Sequence, residues 1–169
     1  CGIFMVHMQK MKTIINNISE GYDFLGQNVR KYKGVLLIKP SKASFTSIKS
    51  KIKDIVDSNR GTNAADLISQ LNPVIRGWCN YHRNVAAKDT FAKLDDYIFK
   101  ILWGWALDMH HNKSRTWIRK KYFKSIGRQT WRFAAMCGKN VQVAIFKASS
   151  TPIVRYKLIK GDANPYDEE

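Results

Sequence analysis

Cysteine is scarce in this 169-residue chain: Cys1, Cys79 and Cys137 stand far apart. No Cys-x-x-Cys or Cys-x-x-His pair occurs, which argues against a zinc finger. An odd, sparse count argues against a secreted disulfide scaffold and fits a reducing compartment. Long apolar runs are also lacking. The best candidate, Ile98–Leu107, is interrupted by Lys100 and falls short of the roughly 20 residues of a membrane helix. Cys1–Val6 is apolar but has no basic segment before it, so no signal peptide is read there, and a start at Cys1 rather than Met suggests a fragment or a mis-assigned start. The scarcest feature is negative charge. Between Met109 and Gly161 there are 13 basic residues and no acidic one, before Asp162, Asp167, Glu168 and Glu169 close the chain.

What is present is positive charge on an otherwise ordinary globular composition. Lys and Arg number 29 against 13 Asp and Glu, a net +16, while 44% of residues are hydrophobic, which excludes global disorder. Such a balance points to a polyanion, with nucleic acid ahead of an anionic membrane surface. No long basic amphipathic helix with a clean apolar side supports the membrane alternative.

The pattern predicts mainly α structure with short β-hairpins: a helical bundle followed by a small basic α+β module, with the boundary near His110–Ser114. Ile14–Ile18 reads as a short strand, and a hairpin over 22–39 closes at Lys33-Gly34 and stops at Pro40. Ser44 is the expected cap of a first helix carrying Phe45, Ile48, Ile52, Ile55 and Val56, with Gly61 in the left-handed position after its end. Thr62 or Asn63 caps a short second helix ending near Leu71, and Asn72-Pro73 starts a third running to about Val85. Asp89 or Thr90 caps a fourth over 91–109, with Phe91, Leu94, Ile98, Leu102 and Trp105 on one wide face. Ser114 caps a basic helix, Arg115–Phe123, broken by Gly127. Strands are expected at Thr130–Ala134, Val141–Phe146 and Ile153–Ile159, with a turn at Gly138-Lys139-Asn140.

Several blocks resemble the group II intron-encoded maturases and reverse transcriptases. Gly21-Tyr22-Asp23-Phe24-Leu25-Gly26, Asn28-Val29-Arg30 and Leu37-Ile38-Lys39-Pro40-Ser41 are similar to the end of that family's reverse-transcriptase domain. Leu71-Asn72-Pro73-Val74-Ile75-Arg76-Gly77-Trp78 with Asn80-Tyr81 resembles the signature of its maturase-specific domain, also called domain X or thumb. Lys93-Leu94-Asp95, Tyr97-Ile98, Trp103 and Trp105-Ala106 continue it. Asn112-Lys113-Ser114, Trp117-Ile118 and Lys120-Lys121-Tyr122-Phe123 match the segment after the thumb. Pro152-Ile153-Val154-Arg155 and Lys160–Asp167 resemble the stretch before the endonuclease domain. The resemblance covers about 12–169 in the family's order. It departs at 1–11, at His111 where proline is common, and at Asp108-Met109 where basic residues are common.

The resemblance implies three parts: the end of the palm over 1–40, the helical thumb over 41–110, and a basic DNA- or RNA-binding module over 111–169. It implies an RNA-binding maturase function, gripping intron RNA to assist splicing and mobility. The implied partners are group II intron RNA, target DNA, and the family's palm and fingers. The alternative is a truncated, non-functional remnant of an RNA-directed DNA polymerase. The fingers and palm, with their catalytic aspartate hairpin, are not among these residues, nor is the His- and Cys-rich endonuclease domain. No catalytic residue, no polymerase activity, no metal ligand and no cofactor are therefore expected in this chain. Mg2+ is expected only in the palm and in the intron RNA.

Residue by residue, Leu94-Asp95-Asp96-Tyr97 sits in a helical pattern and reads as acids on a solvated face, not the paired carboxylates of two-metal chemistry. His110 and His111 are adjacent and lack a supporting cysteine pair, so an exposed pair at a helix end is preferred over a metal site with Cys137. Arg76, Asn80 and Arg83 share one helical face and are candidates for phosphate or 2′-hydroxyl contacts, while Trp78 and Tyr81 share another and are expected in the core. The strongest signal is Lys113, Arg115, Arg119, Lys120, Lys121, Lys124, Arg128 and Arg132 without an acid among them, interleaved by Trp117, Tyr122, Phe123 and Trp131. Arg115 and Arg119 repel at i, i+4 unless an anion relieves them, and RNA offers both phosphates and stacking bases. Lys49 and Lys53, with Lys51 between them, are weaker candidates on the first helix, where a merely solvated face competes.

Overall fold

The computed structural model describes residues 18–127, 129–137 and 141–154. Four helices carry most of the chain, flanked by two small three-stranded antiparallel sheets, so the molecule is mainly α with β-hairpins. The expected strand at 14–18, the turn at 138–140 and most of the Ile153–Ile159 strand lie outside the described residues; Ile153 and Val154 themselves are irregular.

The first sheet orders β1 (Tyr22–Phe24), β2 (Gln27–Tyr32) and β3 (Val35–Pro40). Tyr32 pairs with Val35 across Lys33-Gly34, whose φ angles of 45° and 86° are the left-handed pair that matches strand twist in a two-residue turn. Pro40 ends the strand as expected.

The first helix, α1 (Lys42–Ser58), starts one turn earlier than the sequence suggested. Ser41, not Ser44, is its cap: extended after Pro40, Ser41 accepts from Ser44 N–H at 3.1 Å. The Ser44 hydroxyl is used elsewhere, against the Nε2 of His82 and the indole N–H of Trp78, each at 3.1 Å. Gly61 does not take the left-handed conformation. Asn59 closes the helix instead, donating to the Ile55 carbonyl at 2.8 Å and to Gln70 Oε1 at 3.0 Å.

A single helix, α2 (Ala64–His82), replaces the two expected around Asn72-Pro73. Asn63 caps it, accepting from Ala65 N–H at 2.6 Å. Proline inside a helix costs on the order of 3 kcal/mol. The uninterrupted stripe Leu67, Ile68, Leu71, Ile75 and Cys79, all 0% exposed, outweighs that cost, since each large apolar side chain buried returns roughly 1.5–3 kcal/mol. Asn72 does not cap a new helix: its amide donates to the Ala144 carbonyl at 3.0 Å and its oxygen accepts from Phe146 N–H at 2.7 Å.

The third helix, α3 (Lys88–Met109), begins at buried Ala87 without a side-chain cap, so neither Asp89 nor Thr90 caps it; Asp89 lies in the first turn, where its charge suits the helix dipole. Phe91, Leu94, Ile98, Leu102 and Trp105 form its buried face as read. After α4 (Arg115–Tyr122) come β4 (Phe123–Ile126), β5 (Gln129–Cys137) and β6 (Val141–Ala144). The unforeseen β4 arises because Phe123 leaves α4 extended and pairs with Phe133. One hydrophobic cluster joins α1, α2 and α3 with Ile118, Tyr122, Phe133 and Ile145, so the core continues across His110–Ser114. Among the described residues no helix is long and apolar enough to cross a membrane.

Candidate nucleic-acid interface

The shortness and the cap of α4 determine its surface. Ser114 accepts from Trp117 N–H at 3.2 Å, and only Ile118 and Tyr122 of this helix are buried. The rest of the helix points outward, so Arg115, Arg119, Lys120 and Lys121 are exposed, as are the flanking Lys113 and Lys124. Among the described residues none of these six forms an ion pair. Arg119, Lys120 and Lys121 stand in the last turn, where the helix dipole favours cations. The Lys124 ammonium folds back to donate to the Lys120 carbonyl.

The two sides of α4 carry different aromatics. On one, the ammonium groups of Lys113 and Lys121 lie 5.8 and 4.8 Å from the Trp117 ring. His110 sits there too, edge-on to Trp117 and stacked on Tyr122. Its Nε2 faces the Tyr122 hydroxyl at 2.7 Å and Lys121 Nζ at 3.3 Å; since an ammonium can only donate, Nε2 is the unprotonated nitrogen. Desolvation first, then Lys121 and Lys113, hold the His110 pKa below its usual value. His111 is exposed, the Cys137 side chain lies outside the described residues, and among those described no group of three His, Cys, Asp or Glu side chains is arranged for a metal. On the other side, Arg115 and Arg119 border a groove with Phe99, Trp103 and Trp131, and the Arg119 guanidinium lies 5.1 Å from the Trp131 ring.

Two further rows of candidates stand on other helices. Arg76, Asn80 and Arg83 are exposed along α2, with the Arg76 guanidinium 5.2 Å from the Phe146 ring. The Arg83 carbonyl accepts from Val154 N–H at 2.9 Å. On α1, Lys53 is exposed, while Lys49 is half-buried with its ammonium 5.2 Å from Phe45 and 5.5 Å from Tyr97. Arg128 lies outside the described residues. Arg132 is half-buried and donates to the Ile145 carbonyl at 2.5 Å, which makes it a strut of the second sheet.

The expectation that Trp78 and Tyr81 both enter the core holds for Trp78, whose ring packs on His82 and Phe91. It fails for Tyr81, which is 52% exposed because it reaches across to donate to the Leu25 carbonyl at 2.6 Å in the β1–β2 turn. Asp95 is not on a solvated face either. Its two carboxylate oxygens accept from the Ala148 and Ser149 N–H groups at 2.7 and 2.9 Å, anchoring a 3-10 turn (Ala148–Ser150) against α3; Asp96 is exposed. Phe99, which lines this groove, is not singled out by the sequence reading. The available signal was its position one step off the buried 94, 98, 102 stripe, shared by Trp103.

Residues 45–123 match the family model described as the group II intron, maturase-specific domain. Among curated proteins, the chain is 30% identical over 103 residues to the "Ribosomal operon-associated A protein" of Euglena gracilis, an alignment covering 58% of this chain and 19% of that protein. The chain thus spans only a small part of that relative's length. The family match runs from the first turn of α1 to the first residue of β4 and includes all four helices. On these grounds residues 45–123 are similar to the group II intron, maturase-specific domain.

Proposed function

We propose that this chain is an RNA-binding maturase module that grips group II intron RNA and helps hold it in a splicing-competent fold. The carrying observation is α4 and its flanks: four exposed cations on the helix and Lys113 and Lys124 beside it, none in an ion pair among the described residues, in a stretch from Met109 to Gly161 that contains no acid. Packed on a rigid core, such a helix presents charge without rearrangement, and its reward on binding is counterion release from phosphates. Arg76, Asn80 and Arg83 on α2, and Lys49 and Lys53 on α1, extend the contact as secondary rows. In this reading residues 41–110 act as the thumb, 111–169 as the basic module with target DNA as a second ligand, and 1–40 as the end of a palm. The RNA performs the splicing chemistry. In this reading polymerase chemistry and its Mg2+ belong to the palm's catalytic aspartates, which are not among these residues, and Asp95 of the one adjacent aspartate pair instead holds the Ala148 and Ser149 N–H groups. It works where its intron is spliced, in a bacterial cytoplasm or an organelle.

The test is titration against a structured group II intron RNA and an unrelated structured RNA across several salt concentrations. Preference for the intron at physiological salt is expected, with log K falling by roughly 0.7–0.9 per neutralised phosphate for each decade of salt. Equal weak binding to both RNAs would instead support a second reading, a remnant of an RNA-directed DNA polymerase. One observation favours that reading: Phe24, Leu25, Val35 and Leu36 of the first sheet are 62%, 70%, 69% and 53% exposed, as in a surface that has lost its partner.

A further inference from the structure

We propose that the groove between α3, α4 and the start of β5 is a stacking site for an unpaired base of single-stranded RNA, with Arg115 and Arg119 placed for the phosphates on either side. This rests on the RNA-binding reading above and adds to it a ligand class and a location.

The groove holds about 450 Å3, within the range of roughly 300–1,000 Å3 found for small-ligand clefts. Its wall is aromatic. Phe99 and Trp103 lie nearly parallel, with centroids 6.1 Å apart and planes at 21°. Trp131 stands 6.4 and 6.5 Å from them, and its own ring carries the Arg119 guanidinium at 5.1 Å. These rings are not simply core: Phe99 is 38% and Trp131 45% exposed, whereas Phe133 beneath is 2% exposed.

The backbone places Trp131 there at a cost. Lys124 pairs with Arg132 and Ile126 with Gln129, so Thr130 and Trp131 together oppose Ser125. That is a β-bulge on β5, a feature that re-aims side chains beside functional sites. Trp131 sits in it at φ 61°, a left-handed conformation that bulky L side chains rarely adopt. A core position would be served by a regular ladder with a buried ring. Here a strained backbone is kept to hold an indole at the surface, beside two arginines, in a segment with no acidic neighbour in sequence. A π-face flanked by guanidinium groups suits a nucleobase and its phosphates, whereas a duplex hides its bases and the carboxylate side chains of an acidic peptide offer no ring to stack.

The experiment uses the full chain and three labelled probes of about ten nucleotides: an unstructured RNA, an abasic sugar–phosphate strand and an RNA duplex. Trp131→Gly removes the ring while suiting the positive φ. It is expected to weaken the unstructured RNA at least about fivefold and the abasic strand less than about twofold. Arg119→Ala should weaken both single strands. Phe99→Leu, which keeps an apolar side chain on the helix, should repeat the base-dependent loss if Trp131→Gly does not fold. Equal losses on the base-bearing and abasic strands, no loss with either aromatic variant, or competition by polyglutamate equal to that by the abasic strand would overturn the stacking site. If wild-type binding still prefers the intron RNA, that failure leaves the maturase reading standing; binding to no RNA at physiological salt overturns both.

Discussion

His82 shows how a single side chain ties several elements together. Its ring is 0% exposed, 4.5 Å from Trp78 and 4.8 Å from Tyr81, with Nε2 on the Ser44 hydroxyl and Nδ1 without a hydrogen-bond partner among the described residues. Burial pushes its pKa down to about 4 from 6.5. The unfolded chain therefore takes up a proton near pH 6.5 that the folded chain refuses until about pH 4. Stability is full above pH 6.5, falls as the pH drops toward 4, and then levels, with a loss of roughly 3 kcal/mol from this group. Urea unfolding at a series of pH values should show that decline, and His82→Gln, which cannot charge, should flatten it. His110, shifted in the same direction, leaves a shallower remainder. An unchanged slope in His82→Gln would remove His82 from the account.

Elements are joined by polar side chains acting over long sequence distances. Asn72, in the middle of α2, satisfies both the Ala144 carbonyl and the Phe146 N–H where β6 ends. Asn72→Ala strands two backbone groups and should cost about 2–3 kcal/mol in urea unfolding. Pro73→Ala next to it should raise stability by about 1 kcal/mol or more, because the helix continues through that exposed position and gains a backbone hydrogen bond. If residue 73 instead opened a new helix, the proline substitution would be neutral or harmful, and Asn72→Ala would show only the loss of a cap, typically about 1 kcal/mol. The paired measurement separates these two structures of the same segment.

Over the whole molecule, the basic helix and the exposed aliphatic side chains of the first sheet lie on different elements. The basic helix α4 packs on the shared core, while the first sheet joins the helices through the Tyr81 hydroxyl, the Ala86 N–H to the Ile38 carbonyl, and the Ser41 N–H to the Gly26 carbonyl. Its exposed apolar side chains, with Leu25 also at φ 47°, form a surface that should seek cover. Sedimentation velocity should find concentration-dependent association of the wild-type chain, reduced in Leu25→Asn combined with Leu36→Lys. Asparagine tolerates the left-handed turn, so the double variant should stay folded. A wild-type chain that remains monomeric throughout would contradict the idea of an uncovered docking face.

Much of this is legible in the sequence alone. The stripes of α1 and α3, the Lys33-Gly34 turn, and the Asn63 and Ser114 caps are local: each depends on residues within a turn or two, and helical or strand period exposes them. The basic segment was equally plain, because charge counts need no fold. Other features depended on where distant chain segments meet. Tertiary packing decided that α2 runs through Pro73, that Asp95 serves backbone N–H groups 53 and 54 residues away, that Tyr81 points out to a turn, and that a bulge turns Trp131 toward Phe99 and Trp103. The physical reason is one of range. Propensities and periodicity act over a few residues, whereas a buried donor, a helix-breaking proline or a left-handed tryptophan is stable only once the closed chain supplies its partner.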